Sequence, residues 1–314
     1  MALFNQSWTN IASQFGMPLF GVGGMAFTGN YFWVDATNGS DGNTGGPQDP
    51  FATLGQALSV CQNNNNDVVF FTGTVHTTAT LAWNKNFTHL IGLSAPSNSD
   101  RSRISSTGAT PFSPLVNVTG FGCKFINVGT FHGGFTSPTG SQVCWNEAGG
   151  RNFYSLCQFY GGGAATGAAL SGMRSLTITA ADENVFEDCT IGLDTIVRAT
   201  NANASMEVLG GSARTRMLRC LFQSLISDVS DVHITAGAGA MDRYLLLEQC
   251  ALINAVDSTS STMSAAITNS ASASILLNNC ICLGATAIAT TGPVYVNQIS
   301  AAGATTTGIA IKAT

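Results

Sequence analysis

Charge is what this chain has least of. Asp, Glu, Lys and Arg make up 9 % of its 314 residues, against roughly 25 % in an ordinary globular domain. With 12 basic and 17 acidic side chains the net charge is −5, and a basic field able to hold nucleic acid or an anionic membrane surface is missing, because both need clustered Lys and Arg. Neither partner is expected. The amino end also lacks the basic region of a secretory signal: the first charged residue is Asp35, and Asn10, Ser13 and Gln14 break up any apolar stretch before it. Long hydrophobic runs are absent too, since residues 15–27 are apolar but too few to cross a bilayer. These absences predict a soluble product made in the cytoplasm.

Nine cysteines are present, an odd number in a chain too long to depend on disulfide staples, and they fall on apolar patterns rather than in loops. They read as reduced interior residues. Cys280-x-Cys282 lacks both the two-residue spacing of a metal hairpin and a nearby histidine, so no metal and no cofactor are expected. In place of charge the chain carries 35 glycines and 45 % hydrophobic residues, a composition suited to regular stacking and poorly suited to long amphipathic helices.

The stacking unit is visible as a repeat. Gly122-Cys123-Lys124-Phe125, Leu156-Cys157-Gln158-Phe159, Asp188-Cys189-Thr190-Ile191, Arg219-Cys220-Leu221-Phe222, Gln249-Cys250-Ala251-Leu252 and Asn279-Cys280-Ile281-Cys282 place a cysteine every 34, 32, 31, 30 and 30 residues. Apolar positions around each cysteine mostly alternate, as in Met217, Cys220 and Phe222, which is strand periodicity. Further short β-prone runs lie between, at 175–178, 231–234 and 265–267. Two or three strands in about 30 residues is the content of one coil of a solenoid. The fold class is therefore all-β, a right-handed parallel β-helix. Cys123, Cys157, Cys189, Cys220, Cys250 and Cys280 are predicted to form one interior column without disulfides, since a small polarizable side chain packs well on its own copies.

The β-helix is assigned to residues 31–290, with a capping helix near residues 50–62 that covers the open apolar end. Asp49-Pro50 supplies its start, and Phe51, Leu54, Leu58 and Cys61 its apolar face. Residues 291–314 form a terminal strand and tail. Residues 1–30 differ from the rest: they are uncharged and glycine-rich, with Phe4, Trp8, Phe15, Phe20 and Phe27 spread along them. Aromatics free in water are a liability, so these five are the expected partner-docking residues of an arm. An arm folded back on its own β-helix is the alternative.

Sequence patterns that would carry chemistry are weak. Phe131-His132-Gly133-Gly134 reads as a turn histidine. Arg151, Glu183, Arg214 and Arg243 recur six or seven residues before a coil cysteine and predict a surface ladder of paired charges, worth little per pair. Asp194, Asp228 and Asp257 follow the cysteines by five to eight residues; stacked on neighbouring coils they would approach the carboxylate separation of a retaining glycosidase, but unequal loops favour solvated turns. The loop holding Asp35, Asn38, Asp41 and Asn43 offers oxygens without the spacing or closing Glu of a Ca²⁺ loop, and Asx turns account for it. The chain is expected not to be an enzyme.

Resemblance sharpens this reading. Residues 31–43, from Tyr31-Phe-Trp-Val-Asp35 to Asn43, followed by Asp49-Pro50-Phe51, resemble the first segment of pectate-lyase-like (pectin lyase-like) β-helix proteins. The stretches 73–85, 88–96 and 101–104 are similar to bacteriophage virion proteins of that class. The resemblance implies a structural component of a tailed-phage virion, a non-catalytic capsid decoration or head-associated protein, located on the particle surface after synthesis in the host cytoplasm. It implies a homotrimer and contact with the major capsid protein or another virion protein. The alternative is a tailspike or tail-fibre protein that binds or cleaves a host surface glycan.

Overall fold

The computed structural model describes residues 29–296 except 98–101, 108–109, 134–141, 200–202, 257–259 and 290–291. The chain winds as a right-handed parallel β-solenoid, visiting three sheets in a fixed order. Ten strands, from Tyr31–Asp35 to Val294–Val296, make the first sheet; eight, from Thr74–Thr77 to Ile281–Leu283, the second; seven, from Leu81–Trp83 to Ile267–Asn269, the third. Each strand pairs in parallel with its equivalent one coil away, as Phe153–Ser155 does with Lys124–Ile126 and with Val185–Glu187.

Alternation along the strands puts one face inside. In the first sheet the interior row runs Phe125, Tyr154, Phe186, Met217, Leu247 and Leu277, each opposite the next. Phe125, Tyr154 and Phe186 lie with ring planes 8° and 5° apart at 4.9 and 4.4 Å. Trp145 meets both Phe125 and Tyr154 edge-on, at 86°. Stacked copies of large side chains give the interior native packing density without long helices to fill it.

Between the first and second sheets the chain turns through a single residue in the left-handed region. Asn127, Leu156, Asp188, Arg219, Gln249 and Asn279 all have φ between 50° and 56°, a conformation costing roughly 1–2 kcal/mol for an L-residue. Pairing on both sides compensates: Leu156 N–H donates to Glu187 O at 3.0 Å and Arg219 N–H to Glu248 O at 2.9 Å.

Helix α1 (Leu54–Val60) is shorter than expected and begins later. Its N-cap is Thr53, whose Oγ1 accepts from Gln56 N–H at 3.1 Å, and Asp41 accepts from the Thr53 backbone and hydroxyl at 2.9 and 2.8 Å. Phe51 lies outside the helix because it bridges in parallel to Val34, exchanging bonds with Trp33 O and Asp35 N–H. Pro50 therefore precedes a strand-like bridge rather than opening the helix. Leu54, Ala57 and Leu58 are the buried face.

Candidate functional site

Five of the six predicted cysteines stack. Cys157, Cys189, Cys220, Cys250 and Cys280 each follow the left-handed turn residue, and the carbonyls of the first four accept in succession from Thr190, Leu221, Ala251 and Ile281 N–H. The four from Cys157 to Cys250 are buried, and all are free thiols. Cys123 does not belong to the column. It precedes its first-sheet strand, and Val128 occupies the column position in that coil, its carbonyl accepting from Gln158 N–H at 2.9 Å. The reason is register: Phe125 pairs with Tyr154, not with Phe159, so the likeness between Gly122-Cys-Lys-Phe and Leu156-Cys-Gln-Phe joins two different corners.

Burial raises the Cys189 thiol well above its ordinary range, and the hydrogen bond with Cys220, aided by burial, pushes Cys250 up to about 12. Thiolate is the reactive form. Because all four side chains are shut off from solvent, native protein at pH 8 is expected to leave Cys157, Cys189, Cys220 and Cys250 unmodified by iodoacetamide while a denatured control labels fully, as read by mass spectrometry. Labelling of Cys189 or Cys250 at the rate of an exposed thiol would remove them from the interior.

The charge ladder forms over three coils and stops. Arg151 Nε lies 2.8 Å from Glu183, whose other oxygen is 2.7 Å from Arg214. Arg243 turns instead to its neighbour Asp242, at 2.8 Å, because the pairing register slips between Ala213 and Thr215. A second ladder, absent from the sequence reading, joins Arg219 to Asp188 through two bonds of 2.8 and 2.9 Å. The three members of the first ladder and Arg243 all have positive φ, so these positions mark another repeated corner.

The remaining candidates are engaged in local structure. Asp35 accepts from Thr37 and Asn38 backbone N–H at 2.8 and 3.1 Å, and those bonds, with one from the Asn38 amide, hold its carboxyl below the usual range. Asp41 caps α1 through Thr53. Asp228 accepts from Ser230 N–H and Oγ at 2.9 and 2.7 Å. Asp194 is exposed in a loop. Asp257 and the arm residues Phe4, Trp8, Phe15, Phe20 and Phe27 lie outside the described residues. His132 is buried, with Nε2 3.0 Å from Phe112 O, and burial lowers it to about 4. Among the described residues, His, Cys, Asp and Glu form no group of three or more that could hold a metal ion.

Two buried polar centres were not visible in the sequence. Glu147, fully enclosed, accepts from Gly149 and Gly150 N–H at 2.8 and 2.7 Å, from the Asn152 amide at 3.0 Å, and from the Tyr154 hydroxyl. Burial raises its pKa, against those bonds. With its oxygens occupied from four sides, this carboxylate has no path to a substrate. It ties the third-sheet strand Val143–Glu147 to the turn that opens the next first-sheet strand.

The second centre sits where the second sheet gives way to the third. Arg198 and Ser205 lie with Gly161, Met173 and Gly192 around a crevice with no room for a water molecule, and Ser205 faces His233 one coil on, between the pairs Ala204–Val232 and Met206–Ile234. The three guanidinium nitrogens, the Ser205 hydroxyl, both His233 ring nitrogens and Asp231 Oδ2 are buried without protein hydrogen-bond partners. Burial lowers Arg198 to about 10, offset by Asp231, and raises Asp231 to about 6, offset by Arg198. The arrangement is a charge pair held apart in the interior. It lacks the two facing carboxylates that glycoside cleavage uses.

No protein-family model and no curated protein matches this chain. Solved structures do. A rhamnogalacturonan lyase is similar over 81 % of this chain and 68 % of its own, with TM-score 0.55 and 11 % identity. A pectin methylesterase from Aspergillus niger is similar over 87 % and 85 %, with TM-score 0.54 and 15 % identity. Geobacillus virus E2 ORF18 aligns over 84 % and 60 % at TM-score 0.44 and 11 % identity. At these identities the likeness is one of fold: the chain shares the parallel β-helix of pectin-acting enzymes.

Proposed function

We propose that this protein is a non-catalytic structural component of a tailed-phage virion, a capsid-surface decoration or head-associated protein. One observation carries the structural half of that reading: its acids serve the coils. Glu183 and Asp188 bridge neighbouring coils, Asp35 and Asp41 fix the turns before α1, and Glu147 is sealed inside. A long, stiff, weakly charged solenoid is what such a role asks of a fold. The virion assignment is supported by the resemblance of residues 31–104 to phage proteins of this class.

Self-association as a homotrimer belongs to the same proposal. On the outer face of the second sheet, Leu221, Ala251 and Ile281 form one row and Gln223, Ile253 and Leu283 the next. Ile281 and Leu283 are 58 % and 55 % exposed. Apolar side chains on a flat face, with no charge beside them in either row, favour burial against another copy.

The second reading is a tailspike or tail-fibre protein that binds a host surface glycan. Phe87 and Phe121 favour it: they are exposed and meet edge to face at 5.3 Å, a ledge on which the apolar face of a sugar ring can rest. Copy number in purified particles separates the two. Quantitative mass spectrometry is expected to find the protein on the order of hundreds of copies, in a multiple of three, as icosahedral surface symmetry demands. A few dozen copies or fewer would select the tail reading, and absence from particles would overturn both.

A further inference from the structure

One arginine departs from the pattern of the rest. Arg151, Arg174, Arg214, Arg216, Arg219 and Arg243 each reach a carboxylate. Arg198 is buried, and its three guanidinium nitrogens have no hydrogen-bond partner. A charge taken out of water is offset only by a close counter-charge and by bonds to its remaining donors. The crevice beneath Arg198 supplies neither: its polar lining is Ser175 and Ser205, and it has no room for a water molecule. Asp231 keeps Oδ1 on Asn203 N–H at 2.7 Å, and its other oxygen makes no bond to the guanidinium. Arg174, the neighbouring cation, is committed to Glu207 and to Met173 O at 2.9 and 2.8 Å. Solvent therefore reaches Arg198 only if a wall of the crevice moves.

The wall built to move is the segment that crosses the crevice. Gly192 anchors its start, donating to Phe159 O at 3.0 Å and accepting from the Gln223 amide at 3.2 Å. Its φ is 98°, and a Cβ there would lie 2.1 Å from Gln223 O, so this anchor admits only glycine. At the far end Arg198 bridges to Ile226: its N–H donates to Leu225 O at 2.8 Å, and its carbonyl accepts from Ser227 N–H at 2.9 Å. Between the anchors none of residues 193–197 is buried, and none bonds a backbone group to another described residue. The large side chain that this segment does bury is a charge without a partner. Two backbone bonds hold that end down, and the dehydrated guanidinium opposes them.

We propose that residues 193–198 form a strap that opens in the native protein, pivoting at Gly192 and carrying Arg198 from its crevice into solvent. Opening breaks the two backbone bonds at Arg198 and hydrates the guanidinium. It also bares the Ser175 and Ser205 hydroxyls, on the side of the third sheet opposite Leu176 and Met206. The coils stay intact, because their own strands remain paired, Arg174–Thr179 with Ala204–Leu209 and Thr190–Ile191 with Leu221–Ser224. Segments with few buried apolar contacts open locally at far lower cost than the fold as a whole. This inference is independent of where the protein sits in a virion.

Amide hydrogen exchange of the full-length chain, read residue by residue by NMR, tests it. The Arg198 and Ser227 amides are expected to exchange at least about a hundredfold faster, after correction for intrinsic rates, than those of Thr190 and Leu221. The latter two bond to Cys157 O and Cys189 O at 2.8 and 2.9 Å and belong to the coils. Arg198→Met keeps a long side chain and removes the charge. It is expected to slow exchange at position 198 and at Ser227 at least about tenfold, and to leave Thr190 and Leu221 unchanged. Equal protection of all four amides in the wild-type protein would overturn the proposal. So would unchanged or faster exchange in the variant, which would mean that the guanidinium holds the strap down through Asp231. If the variant does not fold, the wild-type comparison decides, since it needs no substitution.

Discussion

Glu147→Ala is expected to destabilise the solenoid by about 3–5 kcal/mol. The substitution strands the Gly149 and Gly150 N–H groups, half of the Asn152 amide and the Tyr154 hydroxyl in the interior. Each buried polar group left without a partner costs roughly 1–3 kcal/mol. The Asn152 amide keeps its bond to Gly120 O at 2.9 Å, and the Tyr154 hydroxyl keeps the one it accepts from Trp145 at 3.3 Å, which holds the total below the sum of four full losses. Glu147→Gln retains an acceptor for the glycines but turns a donor toward Tyr154 and Asn152, so its expected cost is smaller, about 1–2 kcal/mol. Denaturant midpoints with hydrogen exchange over residues 147–154 measure both. A loss below 1 kcal/mol for the alanine variant would show that water replaces the carboxylate and that the network is not structural.

The repeat was legible because it is written in side chains that must be apolar and similar in size. Cysteine at one corner and Phe, Tyr, Met or Leu in the row beside it keep the interior filled from coil to coil. The same reliance on side-chain likeness misplaced Cys123: two corners carry a cysteine before a lysine or glutamine and a phenylalanine, and only strand pairing tells them apart. The 34-residue first spacing was the sign of that slip, being the longest of the five. The left-handed turn before the column left no trace in the sequence because Asn, Leu, Asp, Arg, Gln and Asn fill it in succession. Its requirement is a backbone angle, which pairing on both sides enforces on whichever residue is there.

Helix α1 shows a different failure. Asp49-Pro50 has the form of a helix start, yet the bridge between Phe51 and Val34 takes those residues into the first sheet, and Thr53, held by Asp41, becomes the cap. Long-range pairing overrode a local signal. The centres at Glu147 and Arg198 were illegible for a related reason. Arg198 and Asp231 come together across coils whose connecting loops differ in length, so their offsets from the coil cysteines do not match. The charge ladder was legible through Arg214 because loop lengths there are equal, and it failed at Arg243 where the pairing register slips.

Acidification is expected to weaken the fold through its buried histidines, and the sign follows from which state binds protons. Burial lowers His89 to about 3, His132 to about 4 and His233 to about 3 from an ordinary 6.5. The unfolded chain takes up protons at these sites below pH 6.5 while the folded chain does not, so each contributes stability that is lost as pH falls, at about 1.4 kcal/mol per unit. Asp231 opposes them: raised from 3.8 to about 6, it takes a proton in the folded state first, and its contribution grows between those values. Glu147, also raised by burial, acts in the same sense as Asp231. Three histidines outnumber the two opposing acids, so unfolding takes up protons on balance and stability falls as pH drops below 6.5. His233 is the informative member because both its nitrogens are buried without protein partners and its ring lies 6.4 Å from Phe222. His233→Leu is expected to stabilise the protein at pH 7 by about 1–2 kcal/mol, through removal of unpaired polar atoms, and to flatten the acid slope by about one proton. Denaturant midpoints at pH 7, 6 and 5 give both quantities. Parallel pH curves for the two proteins would mean that His233 titrates normally in the folded state, and the buried-histidine account of acid sensitivity would fall with it.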